Sequence, residues 1–229
     1  MSSLQGPASA GFRRAVIFLG PPGAGKGTQA RLAAKEFKIP HLSTGDMLRE
    51  HMAKGTALGN RVRDYMQRGD LVADDLVLEM MEDRISQPDC AGGFVLDGFP
   101  RTLRQAEAFG AILERKSWGD PLVVHFDVDR GQLLRRLTGR RTCAVGGEIY
   151  NIFDSPPKVA GRCDYDGGEL IQRSDDREDV IAERLAVYDT HTRGLVDRYR
   201  KQGVAVDING MAPPAIVAEQ VKKILACAR

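Results

Sequence analysis

Consecutive apolar residues, rather than alternating ones, mark the candidate strands of this chain. Residues 15–19 (AVIFL), 94–96 (FVL), 122–128 (LVVHFDV) and 204–208 (VAVDI) are short runs of this kind, set between stretches with helical periodicity. Strands that are apolar on both sides and alternate with helices predict a parallel sheet covered on both faces, an α/β architecture. The ends of the elements carry matching punctuation. A helix is expected through about Phe37 after the first run. Asp129 and Gln132 have capping-box-like spacing for the helix after the third run, Gly203 suits the C′ position before the fourth, and Pro213 and Pro214 suit the first turn of a last helix.

Two stretches break this rhythm and read as insertions into the sheet domain. Residues 43–72 are helical in pattern and contain Gly55, Gly59 and Gly69. Residues 139–176 are rich in Gly, Pro and Asp, with short β-like pieces. The expected organisation is a disordered tail over residues 1–12, a core assembled from 13–42, 73–138 and 177–229, and the two insertions at 43–72 and 139–176.

Composition narrows the class. A chain of 229 residues can bury a sizeable core without staples. Its formal net charge of +2 is too small to argue for nucleic acid or an anionic membrane as partner, although a small anionic ligand needs only a local concentration of arginine. No apolar run approaches the roughly 20 residues of a membrane span. Residues 1–11 are small and polar and lack the apolar centre of a secretory signal; a tail is favoured there over a transit peptide. Cys90, Cys143, Cys163 and Cys227 are too few and too scattered for a secreted disulfide framework, so a reducing, cytoplasmic setting is expected.

The strongest chemical signal is Gly20-Pro21-Pro22-Gly23-Ala24-Gly25-Lys26-Gly27-Thr28, which follows a strand and opens a helix. Glycines let backbone N–H groups turn toward phosphate oxygens, the helix N-terminus adds partial positive charge, and Lys26 brings a full charge to the β- and γ-phosphates. Gly27 stands where Ser or Thr is usual, so the hydroxyl ligand for Mg²⁺ is displaced to Thr28 or absent. The second signal is Phe94-Val95-Leu96-Asp97-Gly98-Phe99-Pro100-Arg101. An acid at the end of a buried strand beside a phosphate loop is the expected Mg²⁺-side carboxylate, direct or through water, and Pro100 sets Arg101 toward the cleft.

Together with Ser43-Thr44-Gly45-Asp46-Met47-Leu48-Arg49 and Gly69-Asp70-Leu71-Val72, these segments resemble the adenylate kinase family, in its long-lid form, from about Arg14 to the C-terminus. The resemblance implies a P-loop three-layer sandwich on a parallel five-stranded sheet, with a helical AMP-binding insertion at 43–72 and a β-rich lid at 139–176. It implies reversible transfer of the ATP γ-phosphoryl group to AMP, giving two ADP. Gly23, Ala24, Gly25, Lys26, Gly27, Thr28, Arg136, Arg140, Ile149, Tyr150 and Ala212 would serve ATP. Thr44, Arg49, Asp70, Leu71, Val72, Gly98, Phe99, Pro100, Arg101, Gln105, Arg173 and Arg184 would serve AMP. Lys26, Arg101, Arg140, Arg173, Arg184 and Asp97 would act on the transferred group, with Asp97 ordering the water around Mg²⁺. ATP, AMP and ADP are the expected partners of a monomer, with neither nucleic acid nor membrane.

The residue chemistry agrees with that inventory. A phosphate monoester's second pKa is about 6, so the acceptor is already an anion at neutral pH and needs no general base. Two anions must instead be brought together, and planar guanidinium groups neutralise phosphate oxygens two at a time. Gln105, one helical turn after Arg101, can donate and accept at once and so match the N1/N6 edge of adenine.

Residues 139–176 depart from the family's pattern at one point. Zinc-bearing long lids carry Cys-x2-Cys followed by Cys-x2-Cys or Cys-x2-Asp; here the four positions read Cys143, Gly146, Cys163 and Asp166. Three ligands and a water make a weak structural site. Two cysteines packed as small apolar groups are favoured over zinc, and a disulfide requires an oxidising compartment. Three other functions stay open: a kinase for UMP, CMP or GMP, a nucleotide-binding regulatory module, and a zinc-stapled binding module.

Overall fold

The computed structural model describes residues 14–227; the tail expected over 1–12 lies outside them. The first half comprises β1 (Ala15–Leu19), α1 (Lys26–Phe37), β2 (His41–Ser43), α2 (Thr44–Ala53), α3 (Ala57–Arg68), α4 (Asp74–Ile85), β3 (Phe94–Asp97) and α5 (Leu103–Arg115). The second half comprises β4 (Leu122–Asp127), α6 (Arg130–Thr138), β5 (Arg140–Cys143), β6 (Ile149–Asn151), β7 (Leu170–Ile171), α7 (Glu178–Val187), α8 (Arg193–Lys201), β8 (Ala205–Asn209) and α9 (Pro214–Cys227).

Five strands pair in the order β2-β3-β1-β4-β8, all parallel. The apolar runs at 15–19, 94–96 and 122–128 become β1, β3 and β4 at the buried centre, and the run at 204–208 becomes the edge strand β8. The fifth strand, β2, is only three residues long and stands apart from those runs. Successive side chains point to opposite faces, which divides the core in two. Ile17, Leu42, Leu96 and Val123 pack with Met81 of α4, Phe109 of α5 and Leu195 of α8. Val16, Phe18, Val95 and Phe126 pack with Ala30 of α1 and Val217 and Val221 of α9. The rings of Phe18 and Phe126 lie 5.0 Å apart on that face.

Residues 139–176 form a separate antiparallel sheet, β6-β5-β7, with Arg141 opposite Tyr150 and Cys143 opposite Leu170. The helical pattern over 43–72 resolves into α2 and α3, capped by Ser43 and Thr56, whose hydroxyls accept from Asp46 N and Gly59 N. The box expected at Asp129 is incomplete: Asp129 caps α6 by accepting from Gly131 N at 2.8 Å, and Gln132 turns toward the large cleft. Gly203 follows the last helical turn of α8 in the left-handed conformation (φ 73°), as a C′ glycine does.

Parallel strands end on one edge of their sheet, where ligand crevices form. That edge carries the loop after β1, Asp97 at the end of β3 and the turn after β8.

Candidate active site

The phosphate loop is built by glycine at two points. Gly25 is the N-cap of α1 at φ 91°, a conformation that side-chain-bearing residues resist. A Cβ on Gly27 would sit 3.0 Å from Asp97 Oδ2. The missing Ser or Thr at position 27 thus makes room for the carboxylate. No side chain caps α1 and its first turn holds no acid, so its N–H groups face the cleft.

Lys26 Nζ folds back to donate to the carbonyls of Gly20 (2.8 Å) and Pro21 (2.9 Å). Burial pushes its pKa down to about 8, against the pull of Asp97 and with help from Arg101, Arg184 and Arg140. Asp97 is placed by the sheet, level with Phe18 of β1 and Ser43 of β2. Burial opposes its ionisation, but His41 and Lys26 outweigh it and hold its pKa below the ordinary value. The His41 Nε2 to Asp97 Oδ2 distance is 3.7 Å, an electrostatic contact rather than a hydrogen bond.

Five arginines from four regions converge on the loop. Arg140 of β5 pairs bidentately with Asp176, Nε donating to Oδ2 at 2.7 Å and Nη2 to Oδ1. Arg184 of α7 donates to the Asp175 carbonyl (2.7 Å) and to Asp176 Oδ1 (3.1 Å). Arg173 Nε donates to Thr142 Oγ1 at 3.0 Å, and Arg101 Nε to the Gly98 carbonyl at 2.7 Å. Arg49 Nη2 donates to Asp46 Oδ1 at 2.6 Å; Arg173 Nη2 stands 3.6 Å from the same oxygen. Asp46, held down to about 2, overcomes its own burial through Arg49 and then Arg173. Arg101 and Arg173 are each pushed down to about 10, first by burial, then by Arg184 in the one case and Arg49 in the other. The guanidinium groups stay charged at neutral pH and repel one another, a standing demand for anions.

These groups line one cavity of about 650 Å³, a size typical of small-ligand sites. Among the lining residues, eight cationic side chains (Lys26, Arg31, Arg49, Arg101, Arg136, Arg140, Arg173, Arg184) face five acids (Asp46, Asp70, Asp97, Asp154, Asp175). Gly23, Ala24, Thr28, Ile149, Tyr150 and Ala212 line one side; Asp70, Leu71, Gly98, Phe99 and Pro100 line the other. Arg136 donates to the Gly210 carbonyl at 3.0 Å, beside Ala212. Val72 and Gln105 line only a small adjoining cavity of about 30 Å³, shared with Asp70, Leu71, Gly98 and Arg101.

Thr44 lines neither cavity: it is buried and its hydroxyl donates to the Gly98 carbonyl at 2.9 Å. Gln105 is buried too. Its Oε1 accepts from Arg101 N (2.8 Å) and its Nε2 donates to Asp74 Oδ1 (2.7 Å), leaving one lone pair and one N–H.

Sequence reading did not single out the acids that hold this cage, Asp46, Asp175 and Asp176, nor Arg31. Arg31 Nη1 donates to the Gly147 carbonyl at 2.5 Å, and its Nη2 lies 3.8 Å from Asp46 Oδ2, so α1 touches both α2 and the turn before β6 through one side chain. The Ser-Thr-Gly-Asp run at 43–46 was the available signal for Asp46. Cys143, Cys163 and Asp166 do come together, and Glu148, which the ligand spacing passes over, joins them.

A family model described as adenylate kinase matches residues 18–204. The chain is 46% identical over 210 residues to the adenylate kinase of Archaeoglobus fulgidus, covering 92% of this chain and 97% of that protein. It is 50% identical over 195 residues to the adenylate kinase of Desulforudis audaxviator, covering 85% and 91%. With that of Methanocella arvoryzae it shares 49% identity over 194 residues, covering 85% and 90%.

Proposed function

The chain belongs to the adenylate kinase family and is an ATP:AMP phosphotransferase, and from that premise we propose how its cleft divides the work. The observation that carries the reading is the crowding of Lys26, Arg101, Arg140, Arg173 and Arg184 around one cavity that reaches from Ala212 to Leu71. A cavity of this length and charge suits two nucleotides meeting end to end through their phosphates.

ATP lies with its phosphates on residues 23–28 and its base near Ala212, and AMP lies between Arg49, Leu71 and Arg101. The Mg²⁺ that accompanies ATP is part of the substrate; Asp97, ionised and admitted by Gly27, fits the task of holding its water shell. Lys26 leaves its two carbonyl partners for the β- and γ-phosphates. Arg140, Arg173 and Arg184 neutralise the transferred group, while Arg49 and Arg101 hold the acceptor phosphate in line. Positioning and charge neutralisation suffice, because the acceptor needs no deprotonation. The remaining donor and acceptor of Gln105 read the edge of adenine beside Val72.

The insertions at 43–72 and 139–176 close over the nucleotides and keep water from replacing AMP. Arg31 joins them in the closed form. A monomer acting in the cytoplasm completes the reading; the described cysteines are thiols, in keeping with a reducing compartment, and no described helix is long and apolar enough to cross a membrane. Calorimetric titration with AMP and with a non-hydrolysable ATP analogue tests the arrangement. Each should bind once without displacing the other. Mutual displacement at one site would overturn it.

A further inference from the structure

The helix that carries Arg184 does not pass into the next one by regular turns. Between α7 and α8 the chain makes a π-helical turn, Tyr188–Thr192, closed by a bond across five residues from Arg193 N to the Tyr188 carbonyl. Such turns are rare and recur at functional sites. This one lies on the cleft: Val187, Tyr188 and Thr192 all line the large cavity.

Two threonines of the turn use their hydroxyls differently. Thr190 Oγ1 donates to the Ala186 carbonyl at 2.9 Å, four residues back, a common outlet for a helical threonine. The matching carbonyl for Thr192 is that of Tyr188, which the wide turn gives to Arg193 N. Thr192 is buried, and its hydroxyl reaches 91 residues along the chain to donate to the Arg101 carbonyl at 2.8 Å.

That bond completes a set around Arg101. Arg101 N donates to Gln105 Oε1 at 2.8 Å, so both backbone groups of Arg101 are held by buried side chains. Gln105 is anchored in turn on Asp74 at 2.7 Å, and Asp74 also accepts from the Thr102 hydroxyl at 3.0 Å. The guanidinium of Arg101 lies against Gly98: its Nε donates to the Gly98 carbonyl at 2.7 Å, and a Cβ on Gly98 would fall 3.0 Å from its Nη2. Arg184 and Arg49 repel this cation while Asp97 and Asp175 draw it. Where its charge rests therefore depends on a fixed backbone.

We propose that Thr192, aimed by the π-turn, is a positioning residue of the acceptor site: it fixes the Arg101 backbone so that the guanidinium meets the phosphate of the nucleoside monophosphate. The inference rests on the reading that Arg101 holds that phosphate, and adds how Arg101 is kept in place. One helical segment delivers Arg184 to the cleft directly and secures Arg101 through a hydroxyl two turns further on.

Thr192→Val keeps the side-chain shape and removes the donor. It should lower kcat/KM for AMP about 10- to 100-fold, the range for displacing a positioned group by up to about 1 Å. Affinity for a non-hydrolysable ATP analogue, read by calorimetry, should stay within about two-fold. Thr192→Ser retains the hydroxyl and should keep kcat/KM for AMP within a few-fold of the parent chain. The Arg101→Ala background separates positioning from bulk stability. Its backbone carbonyl still accepts from Thr192, but there is no guanidinium to place, so adding Thr192→Val should cost AMP little more. An equal cost of Thr192→Val in both backgrounds, an equal loss of AMP and ATP-analogue binding, or a Thr192→Ser chain as impaired as Thr192→Val would overturn the proposal. Arg101→Ala with unchanged kcat/KM for AMP would instead overturn the assignment of Arg101 to the acceptor phosphate, and the proposal with it.

Discussion

Arg140 and Asp176 meet in a two-pronged pair across 36 residues of sequence, and the carboxylate they share with Arg184 has no solvent exposure. The pair ties the first strand of the antiparallel sheet to the turn before α7, next to the phosphate loop. A buried anion between two guanidinium groups fixes their geometry, and removing it leaves two cations facing each other. Asp176→Ala should therefore destabilise the chain by about 3–5 kcal/mol, the usual cost of breaking a buried pair from one side. Denaturant unfolding measures this directly; a loss below about 1 kcal/mol would mean that Arg140 and Arg184 find other partners.

Lys26→Met tests the phosphate loop. The substitution keeps the aliphatic stem and removes the charge, leaving the Gly20 and Pro21 carbonyls facing the cleft. Turnover should fall at least about 100-fold, as for loss of one preorganised donor to a developing charge, with the circular dichroism spectrum unchanged. A fall of only a few-fold would separate Lys26 from the transferred phosphoryl group.

The depressed pKa of Lys26 gives a pH signature. Between about 8 and its ordinary 10.5 the unfolded chain binds the proton that the native chain has lost. This group alone therefore makes stability rise with pH across that window. Phosphate oxygens favour the ammonium form, so ATP affinity should fall as pH rises through about 8. Binding of a non-hydrolysable ATP analogue at about pH 8.5 should take up a proton. Calorimetry in two buffers of different ionisation enthalpy reads the uptake, which should vanish in Lys26→Met; the same uptake in both proteins would assign it to another group.

Arg31 offers a test of closure. Its hydrogen bond to Gly147 and its 3.8 Å contact with Asp46 link α1 to the turn before β6 and to α2, with a partly exposed guanidinium. Arg31→Ala should raise KM for both nucleotides roughly 2- to 10-fold, the worth of one hydrogen bond and a screened ion pair, with little change in the chemical step. An effect confined to kcat would contradict a linking role.

How far the sequence could be read followed from distance along the chain. β1, β3, β4 and β8 were legible as contiguous apolar runs, and the loop at 20–28 as a local pattern whose geometry depends on its own glycines. β2 was not legible from periodicity, because three residues with one buried leucine, Leu42, carry no period. Asp175 and Asp176 stood beside Arg173 in plain view, yet the pairing of Asp176 with Arg140, and of Asp175 with Arg49 and Arg184, is decided by how distant segments fold together. Glu148 escaped because ligand spacing is counted along the chain, whereas Gly146 lets a neighbour enter the same volume from two residues away.

The most direct test offers the purified protein Mg²⁺ and ATP with AMP, CMP, UMP or GMP in separate reactions and follows diphosphate formation. Preference for AMP, with two ADP formed for each AMP consumed, is the result the cleft predicts. Preference for another monophosphate would contradict the pocket formed by Gln105 and Val72, and transfer to none of the four would contradict the account of the arginine cage itself.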